Sequence, residues 1–482
     1  MRRLRKLVIT TVGGIGLLSI GAAAFAQDQQ SDDTSKPRPA ARVYPPLGYP
    51  DQDPSGDQDS TPPLQPDTRP LTGVQNPTLG SPEVRHSYWV PGFRYSNIIR
   101  STALNQANAV GWNSTSYITG NVSLLQSGRN SQLSVNYSGG GYISTDSSQG
   151  NGSFQQLGLV QAFKWQRWQL TLLDQFSYLP ETPFGFGAGS GISIPGVGGS
   201  LNPPLPGVQN NYQPNQSIFT SVGARYSNSF TTQAVYAFGP RSSINVAGSY
   251  GILRFLETGN VNNDDTIFNG GYNYALTKKD TIGVLYRFSA FRFPGNPQAL
   301  NDHTVQAAYG RKITGRLALQ LFGGPELTTF RVPIGSETRL VSGSGGATLN
   351  YAWGQNNLSL TYTRGLSNGS GIQIGSSADQ VQTGLSRRLS RYWQGHINFG
   401  YARNEDLGNS VLSQNSQTYN SYYVGGGLGR PLGRDANFSF GYTSQIQGSN
   451  QAVCAAGTCN TSYVQHQIIL EFSWYGRPFV LR

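Results

Sequence analysis

The chain has 482 residues, of which 37% are hydrophobic, 11% aromatic and only 12% charged, with 61 glycines and a formal net charge of +11. So few charges beside so many aromatics and glycines suit a sheet that meets lipid on one side and water on the other. The basic residues are scattered over turns and strands instead of forming a stripe, which argues against nucleic-acid binding, and no stretch beyond the first residues is long and apolar enough for a membrane helix.

Arg2, Arg3, Arg5 and Lys6 precede an apolar run over 7–20, and Ala24-Phe25-Ala26 offers small residues for cleavage. Residues 1–26 therefore read as a secretory signal peptide cut after Ala26; an uncleaved anchor needs an apolar run of about 20 residues. Gln27 follows the cut where a lipoprotein has cysteine. Residues 27–85 carry 5 basic and 9 acidic residues and runs such as Lys36-Pro37-Arg38-Pro39 and Thr61-Pro62-Pro63. Such a segment cannot bury a core, so a disordered Pro-rich periplasmic tail is expected. Extended at ~3.1 Å per residue it would reach on the order of 100 Å. A plain spacer is the simpler reading, with peptidoglycan or a periplasmic protein as the partner it would reach.

Residues 86–482 carry 26 basic and 15 acidic residues and a two-residue rhythm. It is clearest over 340–366, where Val341, Gly343, Gly345, Ala347, Leu349, Tyr351 and Trp353 alternate with Ser342, Ser344, Gly346, Thr348 and Asn350. The chain turns at Gly354-Gln355-Asn356 and returns with Leu358, Leu360 and Tyr362 against Ser359, Thr361 and Thr363. A period of two with one greasy and one polar face is a strand, and a tight turn between two of them is an antiparallel hairpin. Eighteen strands follow from this rule: 88–100, 116–125, 131–144, 153–164, 168–178, 217–238, 243–256, 265–276, 281–293, 302–312, 316–328, 339–353, 357–366, 379–389, 393–403, 417–429, 436–446 and 461–474. Nearly all reach the ~9–11 residues that a tilted membrane strand requires.

Short turns such as Gln166-Arg167, Thr314-Gly315 and Ser390-Arg391 alternate with long loops such as 179–216, 294–301, 404–416 and 447–460. Short turns on one rim and long loops on the other are the layout of a transmembrane antiparallel up-and-down β-barrel, all-β, with its turns periplasmic. The strand count must be even for both chain ends to lie on the turn side; eighteen satisfies this, as would sixteen. Trp89, Trp165, Trp168, Trp353, Trp393 and Trp474 all fall at that rim, and only Trp112 is placed in a long loop. A lipid interface sorts tryptophan by depth, whereas a core does not. Two details stand out. The strand over 217–238 is longer than a bilayer needs, which predicts a hairpin projecting above the membrane, and Asp174 shares the outer parity of Leu170, Leu172, Phe176 and Tyr178, for which a β-bulge redirecting it inward is expected.

On these signals the chain resembles a Gram-negative outer-membrane barrel of the porin-like kind. The third long loop, 179–216, is the largest, and its Pro180-Glu181-Thr182-Pro183-Phe184-Gly185 is similar to the acidic start of the loop that constricts the lumen in porins. The resemblance implies that Glu181 dips into the pore. Barrels of this kind usually end on an aromatic residue, whereas here Phe472 and Trp474 are followed by eight more residues ending in Phe479-Val480-Leu481-Arg482.

The inward parity is mostly Ser, Thr, Asn, Gln and Gly, with Arg94, Arg225, Arg287, Lys312 and Arg388 against Glu326 and Glu471. The expected function is a channel for small hydrophilic solutes in the outer membrane, mildly anion-preferring, with Arg94, Glu181, Arg225, Arg287, Glu326 and Glu471 lining the pore; structural ion pairing is the alternative role for those charges. A cell-surface interaction or adhesion barrel, or one associated with polysaccharide, is the second reading. A homo-oligomer is compatible with either. An outer-wall lipid hydrolase is a remote third, resting on His466 and Ser444 on one outer parity with no third partner. His86, His303, His396 and His466 stand far apart, so no metal site and no cofactor is expected, and Gly365-Leu366-Ser367-Asn368-Gly369 lacks the strand-to-helix setting of a nucleophile elbow. In an oxidising compartment Cys454 and Cys459 are expected to form a disulfide at a loop tip.

Overall fold

A computed structural model describes residues 87–101, 111–145, 150–179, 224–256, 260–331, 337–369, 373–407, 417–433, 435–450 and 463–481. The expected signal peptide 1–26, the tail over 27–85, residues 180–216 with Glu181, residues 217–223 of the long sixth strand, and Cys454 and Cys459 lie outside these.

The strands are β1 (Tyr88–Ser101), β2 (Trp112–Ser127), β3 (Ser131–Ser144), β4 (Gly152–Lys164), β5 (Trp168–Leu179), β6 (Arg225–Ala237), β7 (Ser242–Phe255), β8 (Asn263–Ala275) and β9 (Asp280–Arg292). The second half comprises β10 (Ala299–Lys312), β11 (Leu317–Arg331), β12 (Glu337–Trp353), β13 (Asn356–Ser367), β14 (Ser376–Arg388), β15 (Gln394–Asp406), β16 (Thr418–Leu432), β17 (Ala436–Ser449), β18 (Tyr463–Tyr475) and the two-residue β19 (Phe479–Val480). Each strand pairs antiparallel with the next, and β18 returns to β1 with Ile98 opposite Ile469, so the sheet closes on itself. The result is a closed 18-stranded antiparallel up-and-down barrel, a shape that leaves the sheet no outermost strand.

The turns close by local chemistry. Thr277 Oγ1 accepts the N–H of Lys279 and Asp280, Thr314 Oγ1 accepts those of Arg316 and Leu317, and Ser390 Oγ those of Tyr392 and Trp393. A hydroxyl one turn back replaces the missing ladder partner. Gly354 and Gly433 turn with φ of 57° and 80°, where a Cβ would be strained.

Side chains sort by parity as expected. Ile118, Val122, Phe230, Val246, Phe268, Val284, Val305, Leu321, Leu360, Ile397, Val424 and Phe440 are exposed on the outside, while Thr119, Ser134, Asn136, Thr231, Asn245, Ser289, Gln306, Asn398 and Gln445 are buried on the inside. At the turn rim, Trp89 stacks on Phe479 at 4.6 Å between centroids, Trp168 meets Tyr236 at 4.6 Å, and Tyr351 stacks on Trp353 at 4.8 Å. Trp112 is not in a loop: it opens β2 opposite Ser101, on the outer parity at the other rim. A second ring, of a different make, runs around the middle of the outer wall. The hydroxyls of Tyr95, Tyr286, Tyr362, Tyr401 and Tyr442 reach Ser116, His303, Asp379, Asn420 and His466 at 2.8 to 3.3 Å. In every case the partner stands on the next strand, opposite the residue two positions after the tyrosine. Amphipathic rings gathered at the turn rim are what a headgroup layer selects.

Two expectations need correction. Asp174 is not redirected by a bulge: it keeps register with Leu159 on one side and Phe230 on the other, and so stays on the outer parity. A bulge occurs instead at the chain's end. Gly92 pairs with Tyr475 but Trp89 pairs with Phe479, so one extra residue is absorbed around Gly476-Arg477-Pro478 before β19 resumes the ladder. The extra residue reverses parity and turns Phe479 outward beside Trp89. An aromatic side chain thus closes the barrel at its turn rim, seven residues after Phe472.

Candidate functional site

The inner wall has two charged stations, half a turn of the ring apart. On the closing seam, Arg94 of β1 and Glu471 of β18 face inward, Nε to Oε1 at 3.4 Å, and an Arg94 Nη2 group donates to the Tyr475 hydroxyl at 3.4 Å. Across β9 to β11, Arg287 reaches two carboxylates, Asp302 at 3.8 Å and Glu326 at 3.9 Å. Parity places all three inward, because Arg287 stands opposite Thr304, which itself stands opposite Glu326. Asp302 accepts the hydroxyls of Thr304 and Thr328, and Glu326 accepts that of Ser342. One guanidinium between two carboxylates leaves this station with a formal charge of −1. In a low-dielectric wall such charges are retained only when hydrogen-bonded in this way.

The second station also anchors a piece of main chain. β12 pairs with β11 over its whole upper half, but its register with β13 begins only at Gly345. Above that level the β13–β14 hairpin is held on one side alone, and it leans over the lumen. The Leu366 N–H donates to Glu326 Oε1 at 3.2 Å, two strands away. Leu366 and Ile374 pack on the inward side chains Phe291, Leu300 and Phe330 and on Phe293 and Leu407 beside them. Leu366 has the outer parity of β13, so it reaches this inner cluster only because the strand end has folded inward. Gly369, with φ of 82°, makes the turn, and the Gln373 side chain donates to the Gln417 carbonyl of the neighbouring loop end.

Of the side chains singled out from sequence, Arg94 and Glu471 lie together, Arg287 and Glu326 lie together, and Arg225 is inward and buried at the loop end of β6. Glu181 lies outside the described residues. Sequence reading missed three inward carboxylates, Asp265, Asp302 and Asp406, all buried. It also missed that the inner face is not uniformly polar near the loops: Ile98, Tyr117, Tyr142, Phe154, Leu179 and Ile469 form an inward apolar cluster on the arc from β18 to β5. His466 stands opposite Ser444 as its parity requires, but its Nδ1 is engaged by Tyr442, and the same pairing recurs at Tyr286 and His303. That repetition marks His466 as a residue of the mid-wall ring. Among the described residues no group of three or more His, Cys, Asp or Glu is placed to hold a metal ion.

The sequence matches no protein-family model and no curated protein. Among solved structures it is similar to the outer-membrane protein OpdK of Pseudomonas aeruginosa, with 8% identity and a TM-score of 0.40 over 80% of this chain and 99% of that one. It is likewise similar to OccAB3 of Acinetobacter baumannii, with 8% identity and a TM-score of 0.43 over 80% and 99% of the two chains, and to OccK9 of Pseudomonas aeruginosa, with 11% identity and a TM-score of 0.41 over 81% and 98%.

Proposed function

We propose that this barrel is an outer-membrane channel through which small hydrophilic solutes pass down their gradients. The observation that carries the reading is the sorting of every strand pair into a lipid-compatible outside and a hydrogen-bonding inside around a ring of eighteen, a size that leaves room for an aqueous path. The β13–β14 hairpin and the charged station beneath it narrow the loop-side mouth and set what approaches. Charge selectivity is mild. Inward Arg94, Arg100, Lys164, Arg225, Arg287, Lys312 and Arg388 stand against Asp265, Asp302, Glu326, Asp406 and Glu471, so a small basic surplus favours anions slightly.

Planar-bilayer recording with the purified full chain tests the reading. Stepwise conductance is expected, with a reversal potential in a KCl gradient lying slightly on the anion side. A correctly folded, heat-modifiable barrel that never conducts would overturn it in favour of a surface-interaction role.

A further inference from the structure

On the described outer wall, polar side chains sit at strand ends, where water and headgroups reach them, or are bonded locally. Arg254 pairs with Asp264 at 2.6 Å, Arg364 with Asp379 at 3.6 Å, and mid-wall Thr383 donates to the Ser359 carbonyl. One strip is bonded only in part. Asp174 stands at mid-length in β5, flanked on the outer parity by Leu172 and Phe176 and across the ladders by Leu159 and Phe230. Asn228, one diagonal step away on β6, hydrogen-bonds its carboxyl. Gln161 and Thr232, both directly opposite Leu172 from the two neighbouring strands, continue the strip, and Gln161 finds only its own neighbour's carbonyl at 3.5 Å. Oδ1 of Asp174 and Oδ1 of Asn228 are buried against their own wall and have no hydrogen-bond partner. Beside Thr232 the wall is low, since Gly248 and Ala234 stand there and a Cβ on Gly248 would meet nothing within 4 Å.

Acyl chains offer neither donors nor acceptors, so a mid-length carboxyl with an amide to either side of it along the outer wall needs protein against it. We infer that the β4–β6 wall is the face on which a second copy of this chain packs within the membrane. The strip carries its own complement: carboxyl and amide oxygens accept, while the amides of Gln161 and Asn228 and the hydroxyl of Thr232 donate. Two copies related by a two-fold axis along the membrane normal bring each Asp174 against the other's amides, with Leu159, Leu172, Phe176 and Phe230 as the apolar surround. The low ground at Gly248 and Ala234 lets the two walls approach. The inference needs only that the wall spans a membrane, so it stands or falls separately from conduction.

The full chain in mild detergent is examined by analytical ultracentrifugation, and a photo-reactive benzoylphenylalanine is placed at Leu172 and, for comparison, at Val381 on the far side of the ring. A self-associating species is expected, with cross-linked dimer formed from position 172 and at least ten-fold less from 381. The double variant Asp174→Leu with Asn228→Leu is expected to raise the dimer dissociation constant at least ten-fold while keeping heat-modifiable migration. A wild-type chain that sediments as a monomer at all concentrations, or cross-links equally from both positions, overturns the inference. So does a double variant that folds and associates unchanged; the cross-linking decides alone if that variant does not fold.

Discussion

Glu326 does two jobs with one carboxyl. It faces Arg287 at 3.9 Å and also accepts the Leu366 N–H, so it links the charge of the inner wall to the hairpin above. Glu326→Gln separates these jobs, because the amide oxygen still accepts from Leu366 while the charge is gone. The station then changes from −1 to neutral, and the reversal potential in a KCl gradient is expected to move further to the anion side. Loss of a charged hydrogen-bond network costs about 1.5–3 kcal/mol of stability; an unchanged reversal potential would show that solutes do not pass near this group. Period-two reading found Glu326 and Arg287 because both lie well inside their strands, where alternation alone fixes the face. It missed Asp302, which stands at the very start of the strand expected over 302–312, although β10 begins three residues earlier at Ala299. Parity says little about a residue at an end. Asp174 was legible as an anomaly and misread as a bulge, since nothing local distinguishes a side chain turned inward from one covered by another molecule.

At the scale of the element, the β13–β14 hairpin shows what alternation does not encode. Each of its strands reads as an ordinary outer-wall strand, but the inward lean depends on where β12 stops pairing with β13, which is a property of three strands at once. The only local signal was the Gly365-Leu366-Ser367-Asn368-Gly369 run, where Gly369 adopts a conformation that L side chains rarely take. Gly369→Ala adds that backbone strain, and its Cβ would also collide with the Gln373 carbonyl. A cost of roughly 1–3 kcal/mol is expected, taken up by release of the hairpin end from Phe330 and Leu300. Larger single-channel conductance and faster protease cleavage between 366 and 376 are the expected readouts. A variant with wild-type conductance and cleavage rate would mean that the hairpin does not narrow the mouth. The bulge before β19 belongs to the same class of feature: Phe479 looked like a residue beyond the last strand, and one extra residue on one side of a ladder made it part of the wall.

For the whole molecule, strand number, closure and the two rims were all legible, because a membrane wall imposes the same three constraints on every hairpin: two-residue sorting, a span of about nine to eleven residues, and aromatics at fixed depth. The same constraints yield a test that a water-soluble sheet would fail. Val305 stands at mid-length on the outer face of β10 and Ile282 near the turn end of β9, and they are 47% and 40% exposed, so neither is needed to fill a core. In water an arginine at either position would be nearly neutral. Facing a bilayer, Val305→Arg is expected to cost about 2–4 kcal/mol and Ile282→Arg about 0–1 kcal/mol, because the penalty follows depth and the side chain at the rim reaches the headgroups. Urea unfolding of the protein reconstituted in lipid vesicles measures both. Equal and negligible costs would remove the membrane from the picture, and the outward apolar residues would then require another explanation than lipid.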